Sequence, residues 1–117
     1  MEYAKIGNTD IEVSKLCIGC MSFGKAGTMH DWTLDAQESE KVIKHALKLG
    51  INFFDTANCY SAGTSEEYLG KAIKNNVARD KVVIASKVYF NEGRLSRQAI
   101  MREIDGTLKR LGTHLQS

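Results

Sequence analysis

Apolar and polar residues alternate over Ile11-Glu12-Val13-Ser14, the period of two that marks a strand with one buried face. Just ahead lies Gly7-Asn8-Thr9-Asp10, a cluster of turn formers, so Tyr3 to Ser14 is predicted to fold as a hairpin. Three short apolar runs follow: Lys15-Leu16-Cys17-Ile18-Gly19, Ile51-Asn52-Phe53-Phe54 and Val82-Val83-Ile84-Ala85-Ser86. These read as buried strands. After each, the period lengthens to that of a helix. Val42, Ile43, Ala46 and Leu47 make one apolar face of a helix from Asp35 to Leu49. Asp35 is its N-cap, with Glu38 three residues on, and Gly50 is its stop. A second helix starts near Ser65 with Leu69, Ala72 and Ile73 as its inner stripe. Glu66 and Glu67 in its first turn and Lys71 and Lys74 later match the helix dipole. A third begins near Ser96, carries Ile100, Ile104, Leu108 and Leu111 on one face, and ends at Gly112. The stretch from Cys20 to Thr33 is a glycine-containing loop.

The order is therefore a hairpin and then strand–helix three times. Short apolar strands alternating with amphipathic helices imply a parallel sheet covered by helices, an α/β architecture. In such folds chemistry sits at the C-terminal ends of the strands. Asp55 directly follows the run ending at Phe54, Lys87 directly follows the run ending at Ser86, and Tyr60 stands five residues beyond Asp55. Taken singly, Asp55 could be a turn cap, Tyr60 a packing residue and Lys87 a solvated strand end. Together they form a proton-donating set: the ammonium can lower the phenol's pKa, and the carboxylate can hold and neutralise the ammonium.

Composition narrows the function classes. At 117 residues, 43% hydrophobic and 26% charged, the chain is one globular domain. Its 16 basic and 14 acidic residues leave a net charge of +2, spread without a basic block, which argues against nucleic acid as partner. No apolar run reaches the ~18 residues of a membrane span, and Met1-Glu2-Tyr3-Ala4-Lys5 lacks a secretory core. Cytoplasm is the expected compartment, and the three cysteines, Cys17, Cys20 and Cys59, suit a reducing one. Cys17 and Cys20 are spaced like a redox or zinc half-site. An extended backbone would hold their Cα atoms ~10 Å apart, too far for a disulfide, so packing is the expected role and no metal is expected. Gly19 to Ala26 nearly spells a phosphate loop, but Ala26 lacks the hydroxyl that would meet Mg²⁺ and no helix pattern starts there.

Several segments resemble the aldo-keto reductase family. They are Ile18-Gly19-Cys20-Met21-Ser22-Phe23-Gly24, Gly50 to Ser61 with its Asp55-Thr56-Ala57-Asn58-Cys59-Tyr60 core, and Ser65-Glu66-Glu67-Tyr68-Leu69-Gly70-Lys71-Ala72. Ala85-Ser86-Lys87-Val88 and Leu108-Lys109-Arg110-Leu111-Gly112-Thr113 complete the set. The resemblance implies an N-terminal hairpin (1–14) plus about three βα units (15–117) of a (β/α)8 TIM barrel, incomplete, since such a barrel needs ~250 residues. It implies reduction of aldehydes or ketones to alcohols with NADPH as cofactor. Tyr60 is then the general acid, Lys87 lowers its pKa, and Asp55 pairs with Lys87 near the cofactor's ribose. Met21 and Ser22 match the family segment beside the nicotinamide. The family's active-site histidine ends the fourth strand; His114 stands at the start of that strand's position and is not assigned the role. A chain of this length is expected to show little activity alone and to self-associate through an open sheet edge. Two other readings stand beside this one: a regulatory protein of the same fold, like the potassium-channel β subunits, and a truncated gene product with no function of its own.

Overall fold

A computed structural model describes residues 1–113; His114 lies outside the described residues. Strands β1 (Tyr3–Lys5) and β2 (Glu12–Ser14) pair antiparallel, with Tyr3 opposite Ser14. Three further strands, β3 (Ile18–Gly19), β4 (Phe53–Asp55) and β5 (Val83–Ala85), form a parallel sheet in that order. Helices α1 (Ala36–Lys48), α2 (Thr64–Asn76) and α3 (Arg97–Leu111) connect and follow them. No helix among the described residues is long and apolar enough to cross a membrane.

The local signals act where the sequence places them. Asp35 caps α1 by accepting from the Glu38 N–H at 2.8 Å, and Ser96 caps α3 by accepting from the Ala99 N–H at 3.2 Å. Gly112 ends α3 in the left-handed region at φ 68°.

Register divides the sheet's two faces. Ile18, Phe54 and Ile84 lie side by side, as do Gly19, Asp55 and Ala85. Because side chains alternate, the first row faces the helices and the second faces away. Phe54 is fully buried among Ile43, Ala46, Leu69, Ala72 and Ile73, with Ile18 and Ile84 packed against them.

Two apolar stripes differ from expectation. Val42 is 40% exposed, and its place toward the core is taken by Ser39, whose hydroxyl donates to the Leu34 carbonyl. In α3, Ile100 is exposed while Ala99, Thr107 and Leu111 are buried. The stripe of Ile100, Ile104 and Leu108 lines a groove of about 600 Å³ with Val83 and Ile84. Among the described residues the outer edge of β5 has no strand partner. Helical spacing fixes which residues share a face; what covers that face depends on the next layer.

Two local geometries shape the ends of α2. Gly70 meets the C-terminal turn of α3 so closely that a Cβ there would overlap the Leu111 carbonyl. At the other end the chain enters α2 through a tight, kinked turn, Tyr60–Gly63, in which Ser61 (φ 49°), Ala62 (φ 55°) and Gly63 (φ 94°) are all left-handed. Ser61 sits beneath Gly24, where a Cβ would collide with it, and the buried Ser61 hydroxyl finds no hydrogen-bond partner among the described residues.

Gly70→Ala is expected to lower the stability of the chain by ~1–3 kcal/mol, the usual range for overpacking, read as a drop in the urea midpoint. An unchanged midpoint would show that α3 can retreat from α2 without cost. Ser61→Gly should act in the opposite direction. It removes a left-handed penalty of ~1–2 kcal/mol and an unpaired buried hydroxyl of ~1–3 kcal/mol, against ~0.4–1 kcal/mol of added unfolded-state entropy. A rise of at least ~1 kcal/mol follows from those terms; a lower midpoint would mean the hydroxyl has a partner in solution.

Candidate active site

Asp55 is the last residue of β4, and the parallel ladder continues past it. The Thr56 N–H donates to the Ala85 carbonyl at 2.8 Å and the Asn58 N–H to the Lys87 carbonyl at 3.1 Å. Lys87 lies two residues beyond Ala85, so it returns to the face that carries Asp55. Its Nζ donates to both Asp55 oxygens, Oδ1 at 3.1 Å and Oδ2 at 2.9 Å, and to the Thr56 carbonyl at 2.7 Å. The same ammonium stands 5.0 Å from the centroid of the Tyr60 ring. Thus the structure brings the three sequence-predicted residues to one rim of the sheet.

The Asp55 and Lys87 side chains are 39% and 50% exposed, open enough for a ligand to reach. Partial burial works to lower the pKa of Lys87, but the hydrogen bond to Asp55, then Tyr60 and the charge of Asp55, hold it above its usual 10.5. The ammonium is therefore secured. Thr56, which supplies its third contact, is itself locked. The Ser65 hydroxyl donates to the Cys20 carbonyl at 2.7 Å, so at 2.9 Å Thr56 Oγ1 must be the donor to Ser65 Oγ.

The remaining candidates fall in the loop after β3. Met21 is exposed, and the Ser22 carbonyl accepts from the Leu34 N–H at 2.7 Å. They occupy the same rim as Asp55 because β3 pairs directly with β4. The near-phosphate loop folds back instead of opening a helix: the Lys25 N–H donates to Thr64 Oγ1 at 2.8 Å, and α1 begins only at Ala36. Packing is right for Cys20, which is fully buried, its thiol pushed up to about 12 chiefly by burial. It is wrong for Cys17, which is exposed. The pKa of that thiol is also raised, first by partial burial and then by the charge of Asp55, with Lys87 opposing.

Sequence reasoning missed a second layer. Glu66 stands in the first turn of α2, as the dipole favours, but it is fully buried. Its Oε1 accepts from Arg110 Nε and its Oε2 from Ser86 Oγ, both at 2.8 Å. Asn58 Nδ2 donates to Glu103 Oε1 at 2.8 Å, a contact that leads the causes holding the Glu103 carboxyl below its usual range. One signal was present: Glu66 precedes Leu69 and Ile73 by three and seven residues, so it belongs to the same buried stripe.

Comparison with known proteins places the sequence and the fold in a family. The sequence profile of the aldo/keto reductase family matches residues 15–116. Versiconal hemiacetal acetate reductase of Aspergillus parasiticus is 39% identical over 98% of this chain and 40% of its own length. Aldo-keto reductase YhdN of Bacillus subtilis is 41% identical over 97% of this chain and 35% of its own. Among solved structures, a thermostable aldo-keto reductase, Tm1743, in complex with the inhibitor epalrestat superposes with a TM-score of 0.77 at 35% identity, covering 97% of this chain and 39% of that one. The holo form of AKR11C1 from Bacillus halodurans gives 0.77 at 32% identity, covering 97% and 37%. These neighbours are (β/α)8 barrels; the parallel strands described here form an open sheet with three helices, a part of that architecture. The chain spans about two-fifths of the length of such relatives. With the family profile covering nearly all of it, the chain belongs to the aldo/keto reductase family.

Proposed function

We propose that this chain carries the proton-donating part of a carbonyl reductase that uses NADPH to convert an aldehyde or ketone to an alcohol. The observation that supports it most directly is the clamped ammonium: Lys87 bound to Asp55 and to the Thr56 carbonyl, over the Tyr60 ring.

The residues present fit the nicotinamide end of such a cofactor. Asp55 stands on an open face between two small residues, Gly19 and Ala85, and a Cβ at Gly19 would meet nothing within 4 Å. A flat ring has room there, with the loop of Met21 and Ser22 beside it. When bound, the cofactor supplies the hydride. This chain's residues supply the rest. As the carbonyl oxygen gains negative charge, Tyr60 gives up its hydroxyl proton to it: the phenol O–H bond breaks and the alcohol O–H bond forms. The phenolate left behind faces the Lys87 ammonium, which lowers the cost of that charge. Asp55 keeps the ammonium in place and balances it, so the pair as a whole stays near neutral until the phenolate forms. Tyr60 then recovers a proton from solvent. The free thiols Cys17, Cys20 and Cys59 fit a reducing, cytoplasmic setting.

Tyr60→Phe keeps the ring and removes the hydroxyl that carries the proton. The kcat of the protein as its gene encodes it, followed as NADPH oxidation with a reactive aromatic aldehyde, is expected to fall ~10²–10⁴-fold, the usual worth of a general acid. Equal rates would remove Tyr60 from the chemistry, and no oxidation by the wild type would overturn the reductase reading.

The Lys87 shift also has a defined sign. A folded-state pKa above the unfolded value contributes stability that is complete below ~10.4 and lost as pH rises through the folded value. From neutral pH upward, the urea midpoint of the wild type should therefore stay above that of Lys87→Met and converge on it only in strongly alkaline solution. Equal midpoints at neutral pH, where both partners are charged, would contradict the pairing.

A further inference from the structure

We propose that Glu66 is a positioning residue that sets the spacing between Tyr60 and Lys87. The importance of that spacing for proton delivery rests on the reductase reading above. The geometry of the grip does not.

Two structural ends have to be held relative to each other. Tyr60 belongs to the turn that runs directly into α2 at Thr64. Lys87 stands beyond the end of β5, a strand paired on its β4 side only among the described residues. On that side the Asn58 N–H holds the Lys87 carbonyl, and Glu103 holds the Asn58 side chain. The hold from α2 is Ser86 Oγ, which donates to Glu66 Oε2. Glu66 lies in the first turn of α2. It therefore ties the helix start behind the phenol to the strand end that carries the ammonium. Arg110 of α3 fixes the other carboxylate oxygen.

The residue type matters. A carboxylate offers acceptors to two donors at once, a guanidinium and a hydroxyl. An amide at that place would turn one NH₂ toward a donor. Glu66 is 0% exposed, so water cannot replace a lost partner. A strut that served stability alone could join α2 to α3 through Arg110 and leave Ser86 out.

The experiment compares Ser86→Ala and Glu66→Gln with the wild type. Ser86→Ala deletes only the link to the strand and leaves the Glu66–Arg110 pair intact. The first readout is the NMR titration of the Lys87 ε-carbon in lysine-labelled protein, which requires no turnover. The titratable groups facing that ammonium are Asp55, Tyr60, Cys17 and Cys20, and none is altered by either substitution. Both variants are expected to move the Lys87 midpoint down toward 10.5 as its grip on Asp55 loosens. The second readout is kcat for aldehyde reduction, expected to fall ~10–100-fold with KM little changed, the scale of a 1 Å misplacement. A Ser86→Ala protein that loses stability while its Lys87 titration and kcat stay at wild-type values would make Glu66 a helix strut and overturn the proposal. If Glu66→Gln does not fold, Ser86→Ala decides alone. If the wild type reduces no aldehyde, the reductase reading fails, and the titration still decides the positioning role.

Discussion

The parallel pairing of β4 with β5 is the constraint on which the rim of this molecule depends. It sets Asp55 opposite Ala85. Lys87 then returns to the same face one pleat further on, roughly 7 Å along the strand. A lysine side chain is long enough to fold back over that distance, and Nζ reaches Asp55 at 2.9 Å. A slip of one residue would turn one of the two charges toward the face of Phe54 and Ile84. Burying it there unpaired costs several kcal/mol or more. The apolar row on the helix side thus enforces the chemistry on the open side. The ion pair itself adds little to folding, since exposed pairs of this kind are worth about 0–1 kcal/mol. It is held by the fold and does not hold the fold.

How legible this was in the sequence varies with the range of the interactions. Caps and stops depend on a few neighbouring residues, and Asp35, Ser96 and Gly112 act where their local pattern puts them. Asp55 and Lys87 were legible because a strand end is visible in a run of apolar residues. The exposure of Ile100 was not, because helical spacing says which residues share a face and nothing about what lies across from it. The approach of Tyr60 to Lys87 was expected from the three groups taken together, but the backbone that delivers it was hidden. It depends on a turn with three left-handed residues in succession, two of them serine and alanine, and neither residue type announces that backbone. Glu66 was misread for a related reason. An acid in a first helical turn has an ordinary surface explanation, and only the partners brought by α3 and β5 make burial the better state.

A buried carboxylate needs its own account. Desolvating it costs several kcal/mol, and pairing with a guanidinium commonly no more than repays that. Apolar side chains of similar volume would serve stability as well. The carboxylate instead supplies direction: two acceptors on one rigid group, aimed at two different elements. Because Arg110 remains 26% exposed, the desolvation falls mainly on Glu66. Its place in the first turn of α2 offsets part of that cost, since the helix dipole favours negative charge there.

The first turn of α2 therefore gathers more constraint than any packing requirement explains. Thr64 receives the Lys25 N–H, Ser65 donates to the Cys20 carbonyl and meets Thr56, and Glu66 joins Ser86 to Arg110. Three consecutive residues thereby reach the loop after β3, the end of β4 and the end of β5. Immediately before them the chain carries two strained residues and a buried hydroxyl with no partner among the described residues. Strain of that kind persists only where the surroundings over-determine the conformation, and these contacts are what over-determine it. The turn that presents Tyr60 is stiff because the helix start behind it is fastened to all three parallel strands, the same strands whose ends supply the groups that Tyr60 must face.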